Sequence, residues 1–242
     1  MKIEINRRTY QLEWYSQDLI STSLDSIYGQ ELLTRAIDVE TRELANTGQL
    51  FNYLDTQDKL TLAIVERQLD DFFIAKRMLH LIKQSMWINI SGQLLSKDGM
   101  FEQLWHSSLQ NIDANIRQKL VLEICENSID SSKMIERIQF LQEQGFRVAM
   151  DDFGAGHSNL NRLSQVNFDF IKLDLNLIKK VPEDLWSTSL YRQVIGLCSS
   201  KGSLIVAEGV ETKVQSDFVR WSGVNIIQGF LYSKPRPLIS TI

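Results

Sequence analysis

From about residue 84 the apolar positions of the chain fall into short β-rich runs separated by longer amphipathic stretches. The runs MWINIS (86–91), LVLEIC (120–125), FRVAMD (146–151), FDFIKLD (168–174), LIVAE (204–208) and VNIIQG (224–229) are predicted strands. They are rich in the β-branched and aromatic residues that suit a pleated surface. Between them, SSKMIERIQFLQEQG puts Met134, Ile138 and Leu141 on one helical face and stops at Gly145. WSTSLYRQVIGLCSSKG repeats the pattern, with Gly202 as its stop. Strands alternating with helices over this length predict a parallel α/β fold, either a closed (β/α) barrel or an open doubly wound sheet.

Polar residues inside the runs favour the barrel. Asn89, Glu123, Asp151, Lys172 and Glu208 each fall in, or at the C-terminal end of, a different predicted strand. In FDFIKLD the period of two puts Lys172 and Asp174 on one face, Ile171 and Leu173 on the other. Polar side chains arriving from many strand ends describe a barrel mouth, whereas an open sheet gathers its ligands at one switch point. One such residue is ordinarily satisfied by solvent. The whole set needs partners, because acids and lysines are seldom buried alone.

Composition narrows the classes. Of 242 residues 43% are hydrophobic and 23% charged, an ordinary globular balance. The three prolines mark no linker, and no repeat or low-complexity tract occurs, so a single domain over 1–242 is expected. A net charge of −4 argues against a surface that coats DNA or RNA, while leaving room for one small nucleotide in a pocket. MKIEINRRTY lacks a signal-peptide core and no stretch is long and apolar enough to span a membrane. Two cysteines, Cys125 and Cys198, make no disulfide framework. A cytoplasmic protein without a membrane partner is expected.

The stretch VAMDDFGAGHSNL (148–160) carries the chemistry. Adjacent Asp151 and Asp152 repel, so a cation belongs between them. Oxygen ligands without histidine or thiolate favour Mg²⁺ or Mn²⁺ over zinc. Two such ions about 3.5–4 Å apart suit in-line attack on a phosphate ester. Asp151 is the candidate bridge, with Asp152 bending towards the second ion as the chain turns at Gly154. Three look-alikes fail. DFG has no kinase HRD element before it, GAGHSN lacks the third glycine of a dinucleotide loop, and Ser158 beside His157 is no triad.

In order along the chain, DDFGAGHSNL, AEGVET (207–212), QGFLYSKP (228–235), WINIS, LVLEICE and FDFIKLD resemble the signatures of EAL-domain cyclic-di-GMP phosphodiesterases. The resemblance covers most of residues 14–237, and the name-giving motif appears as ELLTR, Glu31 to Arg35. It implies a modified (β/α)₈ TIM-like barrel with one antiparallel strand near its start. Position by position, it implies metal ligands at Glu31, Asn89, Glu123, Asp151 and Asp152. It implies catalytic roles for Lys172 and Glu208, which position or activate water, and a further pocket position at Gln228. Substrate contacts are implied at Gln17 (guanine), Leu33, Arg35 (phosphate) and Asp174, and a loop-steadying pair at Glu126 and Glu211.

There are departures. YSQDL lacks the proline of the family's Y-Q-P-I, the segment after Arg35 is that of shorter, stand-alone EAL proteins, and His157 replaces a tyrosine. The activity implied is a two-metal hydrolysis of cyclic di-GMP to linear 5′-pGpG in a homodimer, serving motility or biofilm control. The alternative is an inactive EAL module acting as a cyclic-di-GMP receptor or protein-binding regulator. Such members lose ligands or break the loop after the aspartates, and here both are intact.

Overall fold

A computed structural model describes residues 1–5, 7–54, 56–75, 84–125, 132–155 and 160–238. The six predicted strands are β4 (Ser85–Asn89), β5 (Leu120–Cys125), β6 (Arg147–Phe153), β7 (Phe170–Leu173), β8 (Leu204–Ala207) and β9 (Ile226–Ile227). Three strands precede them: β1 (Lys2–Ile5), β2 (Arg8–Ser21) and β3 (Ile27–Asp38). Each of β3 to β8 pairs in parallel with the next, and β9 pairs antiparallel with β2, which pairs antiparallel with β3. Eight strands, β2 to β9, therefore close into a barrel in which β2 alone runs backwards. β1 and the short β10 (Arg236–Pro237) add to β2 outside the ring.

Strand ends differ from the sequence reading for local reasons. The run 86–91 stops at Asn89 because Ser91 turns to cap α3 (Gly92–Ser96), accepting from Gln93 N. The run 168–174 stops at Leu173 because Asp174 caps the next helical turn. β6 instead runs on to Phe153, through a bulge. Met150 pairs with Ile171 and Phe153 with Leu173, so Asp151 and Asp152 together stand opposite Lys172. Asp152 takes φ +59°, rare for a residue with a Cβ. Neighbours on a regular strand point to opposite faces, and this extra residue is what re-aims the second carboxylate.

The period of two builds the barrel interior in layers. Leu19, Trp87, Val121, Ala149, Phe170, Val206 and Ile226 form one buried apolar cluster, with the Trp87 and Phe170 rings 4.4 Å apart between centroids. Gly29 of β3 leaves the room into which the Trp87 indole projects. Two residues further towards the mouth on the same strands come Gln17, Glu31, Asn89, Glu123, Asp151, Lys172, Glu208 and Gln228. A dry apolar plug thus carries a polar ring directly on top of it.

Helices cover the outside. On α6 (Ser132–Glu143) Met134, Ile138 and Leu141 are buried, the face read from the sequence. On α9 (Leu185–Ser199) Tyr191, Ile195 and Cys198 face inward. α10 (Lys213–Trp221) starts at a capping box between Thr212 and Gln215. Beside the long β2–β3 ribbon, Ile3, Leu12, Ala36, Leu50, Leu54 and Ile64 make a separate cluster with α1 (Thr47–Leu54) and α2 (Asp58–Ala75). Among the described residues no helix is long and apolar enough to cross a membrane.

Since Trp87 fills the barrel floor with no exposed surface, Trp87→Ala should cost about 3–5 kcal/mol of stability. Denaturant titration checks this; a loss below about 1 kcal/mol means the interior is not packed around the indole.

Candidate active site

Lys172 stands at the centre of the polar ring, its side chain 1% exposed. Its Nζ lies 2.9 Å from Asp151 Oδ1, 2.9 Å from Glu208 Oε1, 3.2 Å from Glu123 Oε1 and 3.6 Å from Glu31 Oε2. Asn89 Nδ2 donates to Glu31 Oε1 at 3.2 Å and to Glu123 Oε2 at 3.1 Å, bridging two strands. Gln228 Nε2 donates to Glu31 Oε2 at 2.5 Å and to Gln17 Oε1 at 3.2 Å. Gln17 Nε2 donates in turn to Ser233 O at 2.9 Å. Because β2 is reversed, Gln17 arrives from the opposite chain direction yet joins the same ring.

Four carboxylates against one ammonium leave the ring over-supplied with negative charge, and the ionisations show it. Burial pushes the Lys172 ammonium down, but Asp151, Glu123, Glu208 and Glu31 together hold it well above the usual lysine range. Burial lifts Glu123 well above the usual carboxylate range, helped by Glu31 and only partly opposed by Lys172. Glu208 is raised to about 8 by burial, against the pull of Lys172 and with Asp151 and Glu31 adding to it. Burial and then Asp151 raise Asp152. For Glu31, burial pushes up, but Lys172, Gln228 and Asn89 outweigh it and the net shift is down. Raised to about 8, Glu208 keeps its proton at neutral pH in the metal-free ring, which relieves part of the repulsion.

The donors fit hard divalent cations. The acids offer only oxygens, and among the described residues Glu123 Oε1 and Asp151 Oδ1 are buried with no hydrogen-bond partner beyond the nearby Lys172 ammonium. Asp151, Asp152 and Glu208 each offer an oxygen within 4.8 Å of the others'. Glu31, Asn89 and Glu123 form a second group on neighbouring strands. Such a set suits Mg²⁺ or Mn²⁺.

Other residues singled out in the sequence lie further off. Leu33 and Arg35 follow Glu31 by two and four residues along β3 and are half-buried; Arg35 Nη1 donates to Thr34 O at 3.0 Å. Asp174 is buried, its Oδ1 accepting from Asn176 N at 2.8 Å. Glu211 is exposed, its backbone N donating to Gln215 Oε1 at 3.0 Å. Glu126 and His157 lie outside the described residues. Sequence reading missed two neighbours. Cys125, two after Glu123, has its Sγ 3.6 Å from Asp152 Oδ2, and the period of two would have pointed to it. Tyr191 is buried on α9, its hydroxyl without a hydrogen-bond partner among the described residues, and burial followed by the Glu208 charge pushes that hydroxyl up. No sequence signal marks it.

A closed α/β barrel with an acidic mouth gathered around one buried lysine defines the class. The EAL domain model matches residues 5–235, and the chain belongs to that family. It is similar to cyclic di-GMP phosphodiesterase PdeL of Escherichia coli strain K12, at 36% identity over 152 residues, 62% of this chain and 41% of PdeL. The chain spans less than half the length of the curated relatives it matches. Among solved structures it is similar to the PaMucR phosphodiesterase in complex with c-di-GMP: 26% identity, 94% of this chain and 93% of that one, TM-score 0.81. Klebsiella pneumoniae BlrP1 with manganese and cyclic di-GMP shares the fold, at 23% identity, 93% and 56% coverage and TM-score 0.74.

Acids with raised values hold protons in the folded chain that they release when it unfolds. The unfolded state then binds fewer protons, so stability falls as pH rises from about 5 through about 8, the window of Glu208. Glu123 and Asp152 act in the same direction. Thermal melts of chelator-treated protein should show this decline, and Mn²⁺ added at pH 8 should reverse it. A flat profile between pH 5 and 8 means the acids are not held protonated.

Proposed function

We propose that the protein is a divalent-metal-dependent phosphodiesterase that opens cyclic di-GMP to linear 5′-pGpG. The observation that carries it is the convergence of Glu31, Asn89, Glu123, Asp151 and Glu208 on one buried lysine at a barrel mouth. Membership of the EAL family supports the same reading. So do the cyclic di-GMP phosphodiesterase activity in PdeL's name and the ligand bound by PaMucR.

Glu31, Asn89, Glu123, Asp151 and Asp152 would hold two Mg²⁺ or Mn²⁺ ions. When bound, these supply charge neutralisation at the phosphate, draw protons off the acids that hold them, and lower the pKa of water. The chain's own groups do the rest. Glu208, at the end of β8 and 2.9 Å from Lys172, takes the proton as the water oxygen bonds to phosphorus. The P–O3′ bond breaks, the 3′ oxygen leaves as a hydroxyl on taking a proton from solvent, and the phosphate stays on the 5′ side. Lys172 supplies a fixed positive charge that needs no reorganisation as charge builds on the phosphate. Gln228 fixes Glu31 and Gln17, and Gln17 offers its amide to a guanine edge. Arg35 and Leu33 extend the same face of β3 towards the rest of the nucleotide, Arg35 meeting a phosphate. A homodimer belongs to the same reading; residues 156–159 of its loop, 153–160, lie outside the described residues, as does Glu126, the partner expected for Glu211.

Purified protein with cyclic di-GMP should make pGpG in Mn²⁺ or Mg²⁺, stop in EDTA and recover on metal addition. Ca²⁺, larger and less exacting in geometry, should support turnover poorly. Tight nucleotide binding without pGpG makes the protein a receptor and overturns the catalytic roles.

Glu208→Gln keeps the shape and loses the proton acceptor. Turnover should drop at least ~10²-fold while nucleotide binding stays within a few-fold. Asp151→Asn should weaken both, because it also helps neutralise the site. Calorimetry and product chromatography on the two variants decide the matter; equal losses of binding in both would remove Glu208 from the proton-transfer role.

A further inference from the structure

The end of β6 carries Asp151 and Asp152, the segment after β8 carries Glu208, and both rest on one helical turn. After Asp152 the chain turns at Gly154, φ +92°, where an added Cβ would lie 2.6 Å from Leu177 Cδ1. After Glu208 it turns at Gly209, φ +66°, where an added Cβ would lie 2.5 Å from Leu175 Cβ and 3.2 Å from its Cα. Glycine is needed at both for the dihedral and for the space. Leu175 and Leu177 belong to α8 (Leu175–Ile178).

The same turn is tied to both loops through the backbone. Asp174 N donates to Phe153 O at 3.1 Å, and Glu208 N donates to Leu173 O at 3.2 Å. Its own closure depends on side chains. Asp174 Oδ1 accepts from Asn176 N at 2.8 Å and from Asn176 Nδ2 at 2.7 Å, and Lys179 Nζ donates to Asn176 Oδ1 at 2.6 Å. Gln215 Nε2 of α10 reaches Ile178 O at 3.3 Å at the far end. A helix of four residues has no propagation to offset its nucleation, so its cap decides whether the turn persists.

We propose that α8 is a strut that sets the separation of the two acid-bearing segments, and that Asp174 is a positioning residue that acts through its cap. Its charge adds only to the repulsion that, after burial and with Asp151, raises Asp152. One carboxylate oxygen of Asp174 already serves both Asn176 donors, as a cap's oxygen should. Gly154 and Gly209 let the loops close onto Leu177 and Leu175, so movement of the turn shifts Asp151, Asp152 and Glu208 relative to one another. The consequence for metal uptake rests on the reading of these acids as metal ligands; the strut itself does not.

The test compares Asp174→Asn, which keeps a capping oxygen and loses the charge, with Asp174→Ala, which loses both. Hydrogen exchange on metal-free protein reads residues 148–155 and 204–210, with β4 and β5 as the control for global loosening. Calorimetric titration with Mn²⁺ reads the site. Asp174→Ala should speed exchange in both segments about tenfold, leave β4 and β5 unchanged and weaken Mn²⁺ binding by a similar factor, on the scale of a lost N-cap. Asp174→Asn should leave exchange within about twofold and weaken Mn²⁺ binding less than Asp174→Ala does, because it removes only the charge that Asp152 feels. Equal impairment by Asn and Ala means Asp174 acts by charge and overturns the proposal. So does unchanged exchange in either segment in the Ala variant, or a uniform rise that includes β4 and β5. Wild type that takes up no Mn²⁺, with both loops still loosened by Ala, leaves the strut standing and overturns the metal reading instead.

Discussion

A single buried ammonium holds the mouth of this barrel together. Eight strands point eight polar side chains into a space closed from below by Trp87, Phe170 and their apolar neighbours. Without Lys172, Glu31, Glu123, Asp151 and Glu208 would meet in a poorly hydrated cavity with no cation among the described residues to offset their repulsion, and such acids give up their charge. With it, the ring divides. Glu31, fed by Lys172, Gln228 and Asn89, keeps a low value, while Glu123 and Glu208 are lifted. One lysine satisfies the geometry but not the charge. That mismatch makes the site receptive to more positive charge, whether metal ions or protons.

The apolar plug matters as much as the polar ring. Because the two layers alternate on the same strands, no acid can move down without displacing close-packed carbon, and no apolar residue can move up without burying bare carboxylates. The reversed β2 fits this scheme because pairing register, not chain direction, places a side chain in its layer. Gln17 pairs opposite Glu31 and Leu19 opposite Gly29. The glutamine thereby joins the ring and the leucine joins the plug.

The loops above the ring exploit irregular backbone. The bulge in β6 and the positive φ of Asp152 set two acids against one lysine where a regular strand would offer one. That arrangement costs local strain, and the turn formed by α8 braces it from outside the barrel. Elements far apart in the chain, Gly154, Leu175, Leu177 and Gly209, meet there through packing and through the backbone hydrogen bonds of Asp174 and Glu208.

The period-two runs from residue 84 onward were enough to place six strands and to name Asn89, Glu123, Asp151, Lys172 and Glu208 as convergent, because side-chain alternation is a local property of extended backbone. The first 83 residues were far less legible. β2 has alternating Tyr10, Leu12 and Trp14, but its polar Ser16, Gln17 and Asp18 are buried by strands and a tail more than 200 residues later, including Ser233. Identity within the family was also legible, from ordered motifs. What the chain alone did not show was how the charges share Lys172, that a bulge turns Asp152 towards the mouth, or that Asp174 spends its carboxylate on a cap. Tyr191, whose buried hydroxyl feels the Glu208 charge, was equally hidden. Each of these depends on distances between groups remote in sequence, and on burial, which a linear pattern carries only on average. Residue types and their spacing along the strands were the sequence's to determine; the electrostatic balance of the ring came from closing the barrel, because only closure takes those acids out of water together.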